Sequence, residues 1–248
     1  MDNPRRIALN FKCVGPFGFK GVVMNKDWMH PRPAQRCVRN VGSIWLLVDL
    51  CGAAYGDAPT ASPPLHWFVS GQDNVQAKKE YSGELDRTVA YEGSSSGLLK
   101  SNSATAQSGT LMQLAAAAPY QGKKIKLKAF LRSRDVAQRA GLWVRADDAN
   151  GFTVAFRNCF SPLARESYVR DNSDWTEAEI SLDIPITAAS LSYGVQMSGT
   201  GSVWIDSVTF EVVGTYNPAD SKYVPVGGHK PIDPQNPPPP PQNLDFEQ

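Results

Sequence analysis

Four stretches of this chain alternate apolar and polar residues with a period of two, and that pattern restricts it to β-structure. In Lys124–Arg132 (KIKLKAFLR) the residues Ile125, Leu127, Ala129 and Leu131 share one face, with Lys124, Lys126 and Lys128 on the other. In Gly141–Asp147 (GLWVRAD) Leu142, Val144 and Ala146 oppose Trp143, Arg145 and Asp147. Ile180, Leu182 and Ile184 alternate before Pro185, and in Ser190–Ser198 (SLSYGVQMS) Leu191, Tyr193, Val195 and Met197 oppose Ser192, Gly194 and Gln196. Successive strand residues point to opposite sides of a sheet, so each stretch predicts a strand with one buried face. Val203–Val213 (VWIDSVTFEVV) is almost continuously apolar and predicts a strand packed on both faces. Leu111–Ala118 (LMQLAAAA) is ambiguous by itself, and its neighbours favour a strand. Roughly ten short strands with glycine turns, and no helical period beyond about two turns, predict an all-β, antiparallel β-sandwich of the jelly-roll type over residues 65–213.

Composition shifts on both sides of that region. Residues 214–242 hold Pro218, Pro225, Pro231, Pro234 and the run Pro237–Pro241, which predicts a proline-rich C-terminal linker with an extended polyproline stretch. On the N-terminal side, residues 1–57 carry eight Lys or Arg against four acids, whereas residues 58–248 carry 17 against 20. The positive charge thus belongs to residues 1–58, expected to be a leader with a signal peptide at 41–58. Val41–Gly56 is a short apolar run preceded by Arg32, Arg36 and Arg39 and followed by small residues suited to cleavage after Gly56 or Ala58. Asp49 inside the run and the forty residues ahead of it count against that reading; a start at Met29 would restore an ordinary basic region, and the alternative is a buried hairpin. No stretch approaches the roughly 18 apolar residues of a membrane span, and the expected location is secreted or periplasmic.

Chemistry-bearing motifs are few. Of Cys13, Cys37, Cys51 and Cys159, only Cys159 lies outside the leader, with no CxxC pair for zinc. Gly93-Ser94-Ser95-Ser96-Gly97 matches GxSxG, but a strand follows it where a nucleophile elbow needs a helix, so it predicts a turn. Asp147-Asp148 points to opposite faces of a strand, and Glu177 with Glu179 forms a solvated face opposite Ala178 and Ile180, so neither is a hydrolytic carboxylate pair. The sequence predicts no catalytic residue and no enzyme. Lys123, Lys124, Lys126, Lys128, Arg132 and Arg134 follow strand periodicity, so they form an outer sheet face rather than a nucleic-acid interface.

The order of Tyr120-Gln121-Gly122-Lys123-Lys124, Gly141-Leu142-Trp143-Val144-Arg145, Asp174-Trp175, Ile184-Pro185, Tyr193-Gly194-Val195 and Gly199-Thr200-Gly201-Ser202-Val203-Trp204-Ile205-Asp206 resembles the bacterial galactose-binding-like, carbohydrate-binding-module-like jelly rolls. Such modules accompany secreted hydrolases and peptidases and some DNA-binding regulators. The terminal Asn243-Leu244-Asp245-Phe246-Glu247 resembles the opening strand of a module of this kind, which makes residues 243–248 the expected start of a further module. Arg157-Asn158-Cys159 and the loop after it depart from the pattern of related modules. The resemblance also implies that Asp206 could help hold a structural calcium with loop carbonyls; a plain edge-of-core aspartate is the alternative.

The residues themselves place a ligand-binding face opposite the buried one. There Trp143, Arg145, Arg157 and Gln196 would offer an aromatic ring for stacking on a sugar and polar groups for its hydroxyls, with Trp143 exposed. The expected function is a non-catalytic, exported binding or accessory module for a carbohydrate-like or cell-surface ligand. The alternatives are the accessory domain of a secreted peptidase or esterase, or the ligand-sensing domain of a transcriptional regulator.

Overall fold

The computed structural model describes residues 62–71, 74–162, 164, 166–218 and 228–248. The leader falls outside them. The strands are β1 (Phe68–Ser70), β2 (Tyr81–Asp86), β3 (Ser96–Ser101), β4 (Ser108–Ala116), β5 (Lys123–Asp148), β6 (Thr153–Asn158), β7 (Tyr168–Ile184), β8 (Ala188–Ser198) and β9 (Ser202–Thr215), with a short helix α1 (Asn74–Glu80) and a 3-10 turn at Ala118–Tyr120. All pairings are antiparallel. The fold is an antiparallel sandwich, as the alternation predicts.

One strand joins its two layers. KIKLKAFLR and GLWVRAD are not separate strands but the two ends of β5, which is 26 residues long. Its first half lies between β7 and β9, and its second half between β6 and β8. Between Leu131 and Ala140 its register against β7 slips repeatedly, and Asp135 turns left-handed with φ 53°. Such bulges bend a strand, and here the bend carries β5 from one layer to the other. One layer is then β1-β4-β8-β5-β6 and the other β7-β5-β9-β3-β2.

The faces fall where the period assigns them. Ile125, Leu127, Ala129 and Leu131 from the first half of β5, Leu142, Val144 and Ala146 from the second, and Leu191, Tyr193, Val195 and Met197 of β8 all join one buried cluster. Leu111 and Ala115 of β4 join it too, so LMQLAAAA is a strand as far as Ala116, before the 3-10 turn at Ala118–Tyr120. In β9 residues Val203–Asp206 are buried on both faces as expected, but Val212 and Val213 are exposed. Gly194 sits where β8 meets β4 at φ +155°, and a Cβ there would run into the Leu111 carbonyl.

Outside the core, Lys126 pairs with Glu179 at 2.9 Å and Lys128 with Glu211 at 2.9 Å, so the lysine stripe is balanced by acids of β7 and β9. Solvent screens exposed pairs of this kind, so they contribute little to stability. Cys159 is fully buried, and burial pushes its thiol up to about 12, which leaves it an inert apolar residue at neutral pH.

The C-terminal residues correct two expectations. Residues 228–242 run along the sandwich instead of leaving it as a spacer, and residues 243–248 complete this module rather than opening another. The Phe246 ring is fully buried and lies 4.8 Å from the Trp67 ring. Trp67 Nε1 donates to the Asn243 carbonyl (3.0 Å), Asn243 Nδ2 to the Leu65 carbonyl (3.1 Å), and Val208 N to the Leu244 carbonyl (2.9 Å). Buried Gln113 accepts from Gln242 N and donates back to the Gln242 carbonyl, both at 2.8 Å, while Tyr193 Oη donates to its Oε1. A proline-rich stretch cannot form a core alone, yet it can lie on one that exists.

The GxSxG stretch serves the same closure. Ser94 N, Ser95 N and Ser94 Oγ all donate to the Glu247 carboxylate, and Ser95 Oγ donates to the Phe246 carbonyl (2.7 Å). The Ser94 hydroxyl and these amides hold the Glu247 carboxyl below its usual range. An acid whose folded pKa is depressed contributes stability that is present above its unfolded value and is lost as pH falls through the folded one. The melting temperature of Glu247→Gln should therefore sit below that of the parent at neutral pH and converge with it below about pH 4. A constant gap down to pH 3 in parallel thermal melts would show that the carboxylate charge contributes nothing.

Candidate functional site

The outer face of the β1-β4-β8-β5-β6 layer is the floor of a cleft of about 790 Å³, within the range of small-ligand sites. Residues paired across strands share a face, so the register sets out this floor row by row. Ser70, Thr110 and Gln196 form the first row, and Phe68, Met112, Gly194 and Trp143 the second. Leu114, Ser192, Arg145 and Phe156 form the third, and Ala116, Ser190, Asp147 and Thr153 the fourth. Central β8 thus contributes a polar lane of Ser190, Ser192 and Gln196. Phe68, Met112 and Leu114 border it on one side, and Trp143 and Phe156 on the other. Residues 228–238 supply the remaining wall, including His229, Lys230, Ile232 and Asp233.

Three of the four residues expected to bind ligand come together here. Trp143, Arg145 and Gln196 all line the cleft. Arg157 does not: it pairs with Val144, so it belongs to the face opposite Trp143, and it borders a separate recess with Glu166 and Glu179. Its neighbour Phe156 takes the place in the cleft. The face assigned to Trp143 is right, but its exposure is not. Only 5% of Trp143 is accessible, because it lies on the floor of a walled cleft rather than on an open sheet.

Hydrogen bonding separates the fixed groups from those left over. Arg145 is pinned: its Nε and Nη2 reach Asp147 Oδ2 at 2.9 and 2.8 Å, and its guanidinium lies 6.0 Å from the Trp143 ring centre. Asp147 Oδ1 accepts from Thr153 Oγ1 (2.8 Å), and Asp148 Oδ1 accepts from Asn150 N and Phe152 N in the turn after β5. Both acids of the pair thus have structural partners. Gln196 Nε2 donates to Ser108 Oγ (3.1 Å). Two residues that line the cleft carry a buried polar atom with no partner among the described residues, Trp143 Nε1 and Thr110 Oγ1. A buried polar group left unpaired costs roughly 1–3 kcal/mol.

The structural-calcium expectation at Asp206 does not fit its surroundings. Asp206 is fully buried, its Oδ2 accepts from Tyr91 N (2.8 Å) and Glu92 N (3.2 Å), and its Oδ1 from Ser207 N (2.6 Å). Burial raises its carboxyl pKa, and the backbone amides partly offset this. Both oxygens face donors, so this aspartate fixes the loop before β3 instead of facing a cation. Among the described residues there is no group of three or more His, Cys, Asp or Glu able to hold a metal.

No protein-family model matches the chain. Over 161 residues, 64% of its length, it is 32% identical to an uncharacterized HTH-type transcriptional regulator, YbfP, of Bacillus subtilis (strain 168), and it spans 52% of that protein's length. Among solved structures it is similar to the C-terminal family 22 carbohydrate binding module of Clostridium thermocellum Xyn10B (18% identity, 61% of this chain and 88% of that one, TM-score 0.42). It is similar also to the CBM22-1 xylan-binding domain of Paenibacillus barcinonensis Xyn10C (12%, 62% and 90%, TM-score 0.44). A third is a putative sugar binding protein from Bacteroides thetaiotaomicron (12%, 59% and 87%, TM-score 0.43). No ligand passes from these proteins to this chain.

Proposed function

We propose that the module is a non-catalytic binding module that takes a carbohydrate-like ligand in this cleft. The observation that carries the reading is the pair of buried polar atoms without partners, Trp143 Nε1 and Thr110 Oγ1, on the floor of a cleft whose polar lane lies between apolar borders. A sugar presents hydroxyls and apolar C–H faces together. Hydroxyls would bond to the lane and, as binding shifts the side chains that cover them, to the two orphaned atoms, while the C–H faces would lie on the aromatic and aliphatic borders. Affinity electrophoresis of the full chain through gels containing neutral polysaccharides tests this. Retention by at least one polymer, intact or partly hydrolysed, lost in Thr110→Val and Trp143→Phe, is expected; unretarded migration through all of them, with no binding of free oligosaccharides, would reject the reading.

The same proposal places the module outside the cytoplasm, with residues 1–58 as an export leader removed on the way. Among the described residues no helix is long and apolar enough to cross a membrane. N-terminal sequencing of protein recovered from its native host should begin after Gly56 or Ala58, and a cytosolic product starting at Met1 would reject export.

A second reading, a ligand-sensing domain of a regulator, rests on the 32% identity to the Bacillus subtilis protein, a match that leaves about half of that protein uncovered. A sensor would take a small soluble ligand and show no retention by a polymer, so the electrophoresis, repeated against free oligosaccharides in solution, separates the two.

A further inference from the structure

Resting on that carbohydrate reading, we infer that the cleft receives the end of a neutral saccharide chain rather than its middle, because residues 228–238 close one end of it. Three backbone bonds fix this strap, two within it and one at the residue that follows it. His229 N donates to the Gly151 carbonyl (3.3 Å) and Ile232 N to the Ala149 carbonyl (3.1 Å), both in the turn between β5 and β6. On the far side, Ala116 N at the end of β4 donates to the Pro239 carbonyl (2.8 Å). Strands β4 and β5 both pair antiparallel with β8 and run the same way, so Ala116 and the β5–β6 turn lie at one edge of the sheet. The strap crosses at that edge, beside the fourth row. The chain then passes the end of β4 to place Gln242 against Gln113, on the core side.

The unpartnered atoms lie toward the other end. Trp143 belongs to the second row and Thr110 to the first, six residues along β4 from Ala116, or about 20 Å at the rise of a strand. A chain reaching Trp143 and Thr110 and continuing along the β8 lane meets the strap and must stop. A long polymer therefore has no through-path along the lane, and a terminus does.

Two features make the strap a fixed wall. Gly151 holds φ +83°, and a Cβ on it would collide with the His229 carbonyl, so the strap seats only over glycine. The strap contains Pro231, Pro234, Pro237 and Pro238, which stiffen it and leave few N–H groups to pair elsewhere. The charges select a neutral ligand: Asp147, Asp148 and Asp233 line the cleft with Arg145, Lys230 and His229, and Arg145 is already bound to Asp147. An acidic sugar would find no surplus positive charge.

Isothermal titration of the full chain decides this, with neutral oligosaccharides of two to eight units and the parent polymers, intact and after partial hydrolysis that multiplies chain ends at constant mass. Affinity should level off after the first few units, and binding capacity should rise with the number of ends. Gly151→Val and Ile232→Pro each release the strap, one by steric clash and the other by removing the donor to Ala149. Both should weaken binding of short oligosaccharides on the order of tenfold, the effect of about one lost contact, and should bring capacity for intact polymer up to that for hydrolysed polymer. Thermal melts confirm that each variant is folded; Ile232→Pro adds no side chain at the turn and stands if Gly151→Val does not fold. Capacity that follows polymer mass, or folded variants that bind as the parent does, would overturn the closed-end inference and leave the carbohydrate reading intact. No binding to any oligosaccharide or polymer would overturn both.

Discussion

Replacing Phe246 by alanine in the full chain should destabilise the module by about 3–5 kcal/mol, the usual cost of emptying a fully buried aromatic site. For a module of this size that corresponds to a fall in melting temperature of roughly 6–20 °C. The ring is wholly inaccessible, packs on Trp67, and is flanked by the carbonyls of Asn243 and Phe246 that accept from Trp67 and Ser95. Phe152, 46% exposed, is the internal control, and its alanine variant should stay within about 0.5 kcal/mol of the parent. A fragment of residues 65–213, which the strand pattern would suggest is sufficient, should be far less stable for the same reason. Thermal melts of the three proteins side by side check this, and equal midpoints for Phe246→Ala and Phe152→Ala would show that residues 243–248 are not part of the core.

Trp143 should respond in two separable ways. Trp143→Ala removes a ring that is only 5% exposed, so it should cost about 3 kcal/mol of stability, where an open-face tryptophan would cost almost nothing. Trp143→Phe keeps an aromatic ring and removes an N–H that has no partner in the free protein, so its stability should lie within about 1 kcal/mol of the parent. Its affinity for a saccharide should still drop on the order of tenfold, since the lost bond exists only in the complex. Chemical denaturation and calorimetric titration of the two variants measure both effects. A phenylalanine variant with full affinity would show that the indole N–H is not a contact, and an alanine variant with parental stability would show that the cleft leaves the ring free.

How much of this was legible in the sequence follows from where the information lies. Period-two alternation is local, so the faces of β5 and β8 could be read before any partner was known, and Trp143, Arg145 and Gln196 were assigned to the right side of their sheet. Register is not local. Arg157 and Phe156 differ by one position, and that one step moves a side chain through the sheet; only the pairing of Phe156 with Arg145 decides between them. The bend in β5 was hidden because Ser133–Ala140 interrupts the alternation and looks like a turn between two strands. The walls that make Trp143 part of a cleft floor, and the amides of residues 91–92 that occupy Asp206, lie far away along the chain, where no window of sequence contains them. The prolines misled for a related reason: they rule out a core within their own segment and say nothing about whether it rests against another. One signal was present, the apolar residues in Asn243–Phe246, and taking them as the beginning of something else concealed that they finish this sandwich.

The bond from Trp67 to Asn243 spans 176 positions. During synthesis at roughly 5–20 residues per second, Trp67 waits on the order of ten to thirty-five seconds after it is made before its partner is added. Once the strands have been made, the pocket for Phe246 stays open until residue 246 is added, with Trp67 and Leu111 beside an unfilled space. Most of the strands are available to pair by then, but residues 243–248 decide when the nascent module stops exposing an apolar surface to other proteins in the cell. A nonsense or frameshift change in the codons after Gln242 would therefore release a product with its strands assembled and its interior open, a substrate for chaperones and proteases more than a shortened binder.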